Sequence, residues 1–106
     1  MSEKLVFEAR IFSIVDKEEG EATLRLEGNF DSLDLLKKVI SEVISFLNGG
    51  IVDIIIVTRG VSFLSSYASG MFLALELLLQ IHEGSLTFST NSATDEMLRR
   101  AGLSIL

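Results

Sequence analysis

The stretch Ile51–Val57 reads IVDIIIV, a short β-branched run interrupted once by Asp53. Such a run is the pattern of a strand covered on both faces, so it predicts a central strand with other layers packed over it. Immediately after it, RGVSFLSSYASGMFLALELLLQIHE spans Arg59–Glu83: a loop over Thr58–Leu64, two adjacent serines, then a very apolar helix reaching Glu83. Ser65 and Ser66 stand where the helical pattern begins, and serine is a favoured N-cap. In that helix Ser69, Glu76, Gln80 and Glu83 form one narrow polar stripe, whereas a surface helix normally carries a broader one. Either both sides of the helix are covered within the domain or part of it awaits a partner.

The remaining elements follow by periodicity. Leu5–Val15 and Ala22–Leu26 alternate apolar with polar residues and predict two strands, joined through DKEEGE as an antiparallel hairpin, with Gly28 and Asn29 ending the second. Asp31 or Ser32 caps a helix to Asn48 that carries Leu36, Ile40, Val43 and Leu47 on one side, and Asn48-Gly49-Gly50 stops it. Beyond the apolar helix, Gly84 is the stop, Leu86–Phe88 a brief strand, and Ser92-x-x-Asp95 a capping-box variant opening a last helix that ends at Gly102. Leu103, Ile105 and Leu106 are expected to tuck onto the core. The order strand, strand, helix, strand, helix, strand, helix predicts an α/β domain: an open mixed β-sheet, a hairpin followed by parallel strands, with helices over it.

Composition narrows the function classes. At 106 residues the chain fits one domain, expected over 1–106. The net charge of −6 argues against nucleic acid or an anionic membrane as partner. There is no cysteine and one histidine, His82, which excludes thiolate metal sites and a His-based zinc site. No P-loop, dinucleotide fingerprint or paired metal-ligand spacing occurs, so no cofactor or metal is expected. Catalysis by a serine needs a neighbouring base. His82 lies roughly 24 Å along the helix from Ser66 at 1.5 Å per residue, so no catalytic residues are assigned. Charged residues interrupt the apolar ones in MSEKLVFEARIF, no secretory leader is expected, and the longest apolar runs fall far short of a membrane span. The expected location is the cytoplasm.

Leu24-Arg25-Leu26-Glu27-Gly28-Asn29-Phe30-Asp31, then Ile54–Val57, then Gly60-Val61-Ser62-Phe63-Leu64-Ser65-Ser66 through Gly70 and Leu73-Ala74-Leu75, and finally Leu98 with Ala101-Gly102-Leu103, resemble the STAS domain of bacterial anti-sigma factor antagonists. The resemblance implies an open sheet with helices mainly on one face. It also implies partner switching, in which the unphosphorylated protein binds an anti-sigma factor that is also a serine kinase, and phosphorylation of one serine breaks that binding. Ser66 falls on the phosphorylated position, with Ser65 the second choice, and Asp31 on the acidic residue of the Gly-x-x-Asp motif. The implied partner-binding residues are Asp31, Ser65, Ser66, Tyr67, Ser69, Gly70, Phe72 and Leu73. The sequence departs from the family pattern at Ser65, where aspartate is usual, at Tyr67 and Ala68, where serine and glycine are usual, and at Val57, where a second aspartate is common.

Physical chemistry supports such a switch. A phosphate on Ser66 would sit at a helix N-terminus, where free N–H groups and the macrodipole favour an anion by about 0.3–1 kcal/mol. Its added charge would instead repel an apolar or acidic surface facing it. The alternatives are serines that only cap the helix, a constitutive scaffold subunit or homodimer held by the helix's apolar flank, and a module binding a nucleotide or lipid near the helix N-terminus. Arg59 could pair a phosphate on the same loop. Phe72 and Leu73 flank the Ser69–Glu76 stripe, so at least one of them is expected at the surface near the serines.

Overall fold

The computed structural model describes residues 9–106. Among the described residues four strands and three helices follow one another: β1 (Arg10–Asp16), β2 (Glu21–Phe30), α1 (Leu33–Asn48), β3 (Asp53–Leu64), α2 (Tyr67–Ile81), β4 (Ser85–Ser89) and α3 (Ser92–Arg100). The strands lie in the order β1-β2-β3-β4. β1 and β2 are antiparallel, and β2, β3 and β4 are mutually parallel. This is the expected open mixed sheet. The part of the expected first strand before Ala9 lies outside the described residues.

Alternation decides which face the helices cover. Ala22, Ile54 and Leu86 stand side by side across the three parallel strands, as do Leu24, Ile56 and Phe88, and all six are buried in one core with Leu36, Val39 and Val43 of α1 and Ala68, Phe72 and Leu79 of α2. The rings of Phe72 and Phe88 meet at 5.2 Å between centroids, fastening α2 to β4. The opposite face carries Phe12, Ile14, Thr23, Arg25, Ile55 and Val57, and none of these is buried. The expectation that Ile51–Val57 is covered on both faces therefore fails on one side. β-branched residues tolerate half-burial on an open sheet, so the run reported strand identity and not the number of layers.

β3 is longer than its apolar run suggests. Thr58–Leu64, expected as a loop, continues the strand beside Glu27–Phe30 of β2. Two register shifts, at Arg25/Glu27 and at Gly28/Asn29, bend this extension, and Gly28 takes a positive φ of 94° that glycine adopts cheaply. Consequently Gly28 and Asn29 do not end β2, which runs on to Phe30.

Helix ends also differ in detail. Ser32, not Asp31, caps α1, its Oγ accepting from the Leu35 amide at 3.2 Å. α3 is capped by Asn91, whose Oδ1 accepts from the Thr94 amide at 2.9 Å, with Thr94 completing the box, so the expected Ser92–Asp95 pair is displaced by one residue. α2 ends at Ile81, and Glu83, not Gly84, takes the left-handed conformation. Gly84 is needed for close approach instead: a Cβ there would lie 2.1 Å from the Val52 carbonyl oxygen. Leu103 packs in the core and Ile105 bridges to Phe88, but Leu106 is exposed, contrary to expectation.

Candidate partner-docking site

β2 and β3 run parallel, so both deliver the chain to the same end of the sheet. There the Ser65 amide donates to the Phe30 carbonyl at 2.9 Å, which sets Asp31 beside the serine pair. Asp31 is exposed.

The two serines divide their work. Ser65 is only 5% exposed; its Oγ accepts from the Tyr67 amide at 3.3 Å and its carbonyl from the Ala68 amide at 2.9 Å. Ser66 precedes the first helical residue but already has helical φ and ψ of −59° and −23°, and its side chain makes no capping bond. An N-cap side chain reaches the next turn's amides from extended backbone geometry, which Ser66 lacks. Ser65 therefore does the capping expected of the pair, while the Ser66 hydroxyl faces solvent at the positive end of a 15-residue helix.

Apart from Asp31, the residues flanking Ser66 in β3 and α2 expose apolar surface. Tyr67 is 65% exposed, and Gly70, Leu73 and Phe63 are exposed as well. Phe72, expected at the docking surface, is fully buried against Phe88 and cannot contact a partner; of the flanking pair, Leu73 is the one outside. Phe63 was missed because Thr58–Leu64 read as a loop; as strand, its neighbour Leu64 points inward and Phe63 outward. Ser69 is half-buried and lines a groove of about 500 Å³ between α2 and α3, together with Ser92, Glu96, Met97 and Arg100.

α2 turns only part of its polar stripe inward: Ser69 is half-buried and Glu76 buried, while Gln80 and Glu83 are exposed. Glu76 is 7% exposed; its Oε1 accepts from the Ser104 hydroxyl at 3.0 Å, and its Oε2 has no partner among the described residues. The outward side carries Tyr67, Gly70, Leu73, Ala74, Leu77 and Ile81, an apolar ridge leading away from Ser66 and interrupted near its far end by Gln80. An exposed apolar ridge of this kind is a candidate interaction surface.

Arg59 stands on the β3 extension, seven residues before Ser66, with five of those steps in strand. At ~3.3 Å per residue that is beyond the reach of a phosphate on Ser66, so Arg59 is a solvated side chain and not a partner for that phosphate. Asn91 spans this region, its Nδ2 donating to the Arg59 and Val61 carbonyls at 2.8 and 3.0 Å, and the Thr58 and Thr94 hydroxyls share a buried hydrogen bond of 2.9 Å. These contacts pin α3 behind the site. Val57 is not at the end of its strand; it pairs with Arg25 and Ser89 on the open face. His82 is exposed at the far end of α2. Among the described residues no group of three or more His, Cys, Asp or Glu could hold a metal, and no helix is long and apolar enough to cross a membrane.

No protein-family model matches the chain, and no curated protein matches it. Among solved structures it is similar to the anti-sigma factor antagonist SpoIIAA in its unphosphorylated form, with a TM-score of 0.73 and 19% sequence identity over 93% of this chain and 87% of that one. The chain has the STAS fold. At this identity the likeness lies in backbone path and element order. The STAS fold accounts for the mixed sheet with its one open face, and for the convergence of Asp31 and the serine pair at one sheet end.

Proposed function

We propose that the protein is a bacterial, cytoplasmic regulator of the anti-sigma factor antagonist type, which binds a protein partner through Ser66 and the outward face of α2 and is released when Ser66 is phosphorylated. The observation that carries this reading is the Ser66 hydroxyl: exposed and unused in capping, at the sheet end where the Ser65 amide meets the Phe30 carbonyl next to Asp31, with Phe63, Tyr67 and Leu73 exposed on the flanking strand and helix. A phosphoryl group there adds about −1.5 to −2 charges without displacing any hydrogen bond of the fold. The helix N-terminus accommodates it, and a partner pressed onto the ridge does not. Likeness in fold to SpoIIAA supports the same reading, with an anti-sigma factor of serine-kinase activity as the partner class.

Asp31, Tyr67, Ser69, Gly70 and Leu73 serve as contact residues in this reading, Ser65 as the cap that holds Ser66 in position. Co-purification from the native cell, followed by mass spectrometry, tests it. The expected result is an ATP-binding serine kinase recovered with the unphosphorylated protein, and phosphate on Ser66. Phosphate confined to Ser65 or Tyr67, or a partner that recovers equally with the phosphorylated form, contradicts it.

A further inference from the structure

The two edges of the sheet are treated differently. Along β4 the C-terminal segment closes the edge: the Phe88 amide donates to the Ser104 carbonyl at 2.9 Å and the Leu106 amide to the Phe88 carbonyl at 2.8 Å. Along β1 nothing among the described residues pairs with the outer side; only β2 does. Bare edges of soluble proteins are usually blunted by lysine, proline or a bulge. β1 reads RIFSIVD, has no lysine or proline, and pairs with β2 without a register shift. Its apolar side chains also stand out on both faces, with Phe12 and Val15 exposed and Ile14 74% exposed.

The strand is, moreover, complementary to itself. Laid antiparallel on a second copy about Ser13, Arg10 falls opposite Asp16, Ile11 opposite Val15 and Phe12 opposite Ile14, each pair on one face of the joined sheet. Both ends then carry opposite charges. A parallel arrangement would set Arg10 on Arg10 and Asp16 on Asp16, and a slide of two residues would set Phe12 on Asp16 or Arg10 on Ile14. Within one copy neither charge has an ion pair among the described residues: Asp16 accepts from the Glu19 amide at 3.2 Å but lies across from Glu21, and Glu27, across from Arg10, is engaged by Arg25 at 3.2 Å. A second copy supplies each with its counter-ion.

We propose that β1 is a self-docking edge, through which two copies of this chain join antiparallel about Ser13 into one continuous eight-stranded sheet. The contact is isologous, so it closes as a dimer and does not propagate. It gains roughly six to eight backbone hydrogen bonds, two ion pairs and four apolar cross-strand pairs. The Ser66 end and the α2 ridge lie away from this edge, across β2 and β3, so the dimer presents two docking sites.

Sedimentation equilibrium of the full chain across a wide concentration range tests this, with charge reversal at the strand ends. The wild type is expected to dimerise; Arg10→Asp alone and Asp16→Arg alone are each expected to weaken the dimer about tenfold or more by placing like charges opposite each other twice. The double variant restores the attraction with reversed sign and is expected to dimerise like the wild type. A folding defect from either substitution would persist in the double variant, so recovery isolates the pairing; circular dichroism checks that each variant keeps its fold. A monomeric wild type overturns the proposal. So does a dimer indifferent to the single reversals, and one lost instead through Leu77→Glu would belong to the α2 ridge.

Discussion

Substituting the two serines one at a time separates support from switching, because the structure gives them unequal contacts. Ser65→Ala removes a buried acceptor from the Tyr67 amide in the first turn of α2. Losing such a cap costs about 1 kcal/mol, which for a domain of this size lowers Tm by roughly 4–8 °C. Ser66→Ala deletes an exposed hydroxyl that holds no capping bond, on backbone that is already helical. Its effect should stay within about 0.5 kcal/mol of zero. Ser66→Glu places a negative charge against the helix N-terminus and should stabilise the fold by about 0.3–1 kcal/mol, raising Tm by a few degrees. Thermal and urea unfolding followed by circular dichroism read all three at low salt, where the dipole term is least screened. The order Ser66→Glu, Ser66→Ala, Ser65→Ala, from most to least stable, is the expected result. A loss in Ser66→Ala equal to that in Ser65→Ala would refute the division of roles, and so would a Ser66→Glu protein less stable than wild type.

Three further outcomes follow from particular contacts. Gly84→Ala drives a methyl group into the Val52 carbonyl, 2.1 Å from an ideal Cβ, so backbone must shift and stability should fall by about 1–3 kcal/mol in urea titration; an unchanged midpoint would contradict that close approach. Glu76→Met replaces a buried carboxyl group whose Oε2 is unpartnered with an apolar side chain of similar length, and stability should rise by about 1 kcal/mol or more, whereas a loss would mean that the Ser104 contact outweighs desolvation. Asp95 is held below the ordinary 3.8 by hydrogen bonds from Arg99 and Thr90, each 2.7 Å. A lowered carboxyl pKa contributes stability that is present above the unfolded value and lost as pH falls through the folded one, so the stability gap between wild type and Asp95→Asn should shrink on acidification; a gap that widens at low pH would reverse the sign.

Much of the fold was legible because two periodicities dominate the chain. Strict alternation in Ala22–Leu26 and the three-to-four spacing in Leu36–Leu47 report strands and helices whatever they pack against. The β3 extension was not legible: Thr58-Arg59-Gly60 reads as a break, and the bulges opposite it shift the inward set from Ile54, Ile56 and Thr58 to Val61 and Leu64, so no single period fits. The facing of α2 was hidden for a different reason. Where nearly every residue is apolar, the few polar ones seem to mark the solvent side, yet Glu76 is drawn inward by Ser104 near the chain end, a contact between residues far apart in sequence. With Glu76 inside and Gln80 and Glu83 still exposed, Leu77 and Ile81 also lie outside, the latter 77% exposed, and extend the ridge beyond the residues the resemblance implied. At the site itself, the exposure of Ser66 and the burial of Phe72 depend on how β2, β3 and α2 meet, which no local pattern encodes.

Negative charge at Ser66 is proposed to govern docking without disturbing the fold. This is tested most directly by titrating the co-purifying partner into Ser66→Ala and Ser66→Glu in a calorimeter. Wild-type affinity is expected for Ser66→Ala, and no measurable binding for a fully folded Ser66→Glu protein. Equal affinities for the two variants would contradict the proposal.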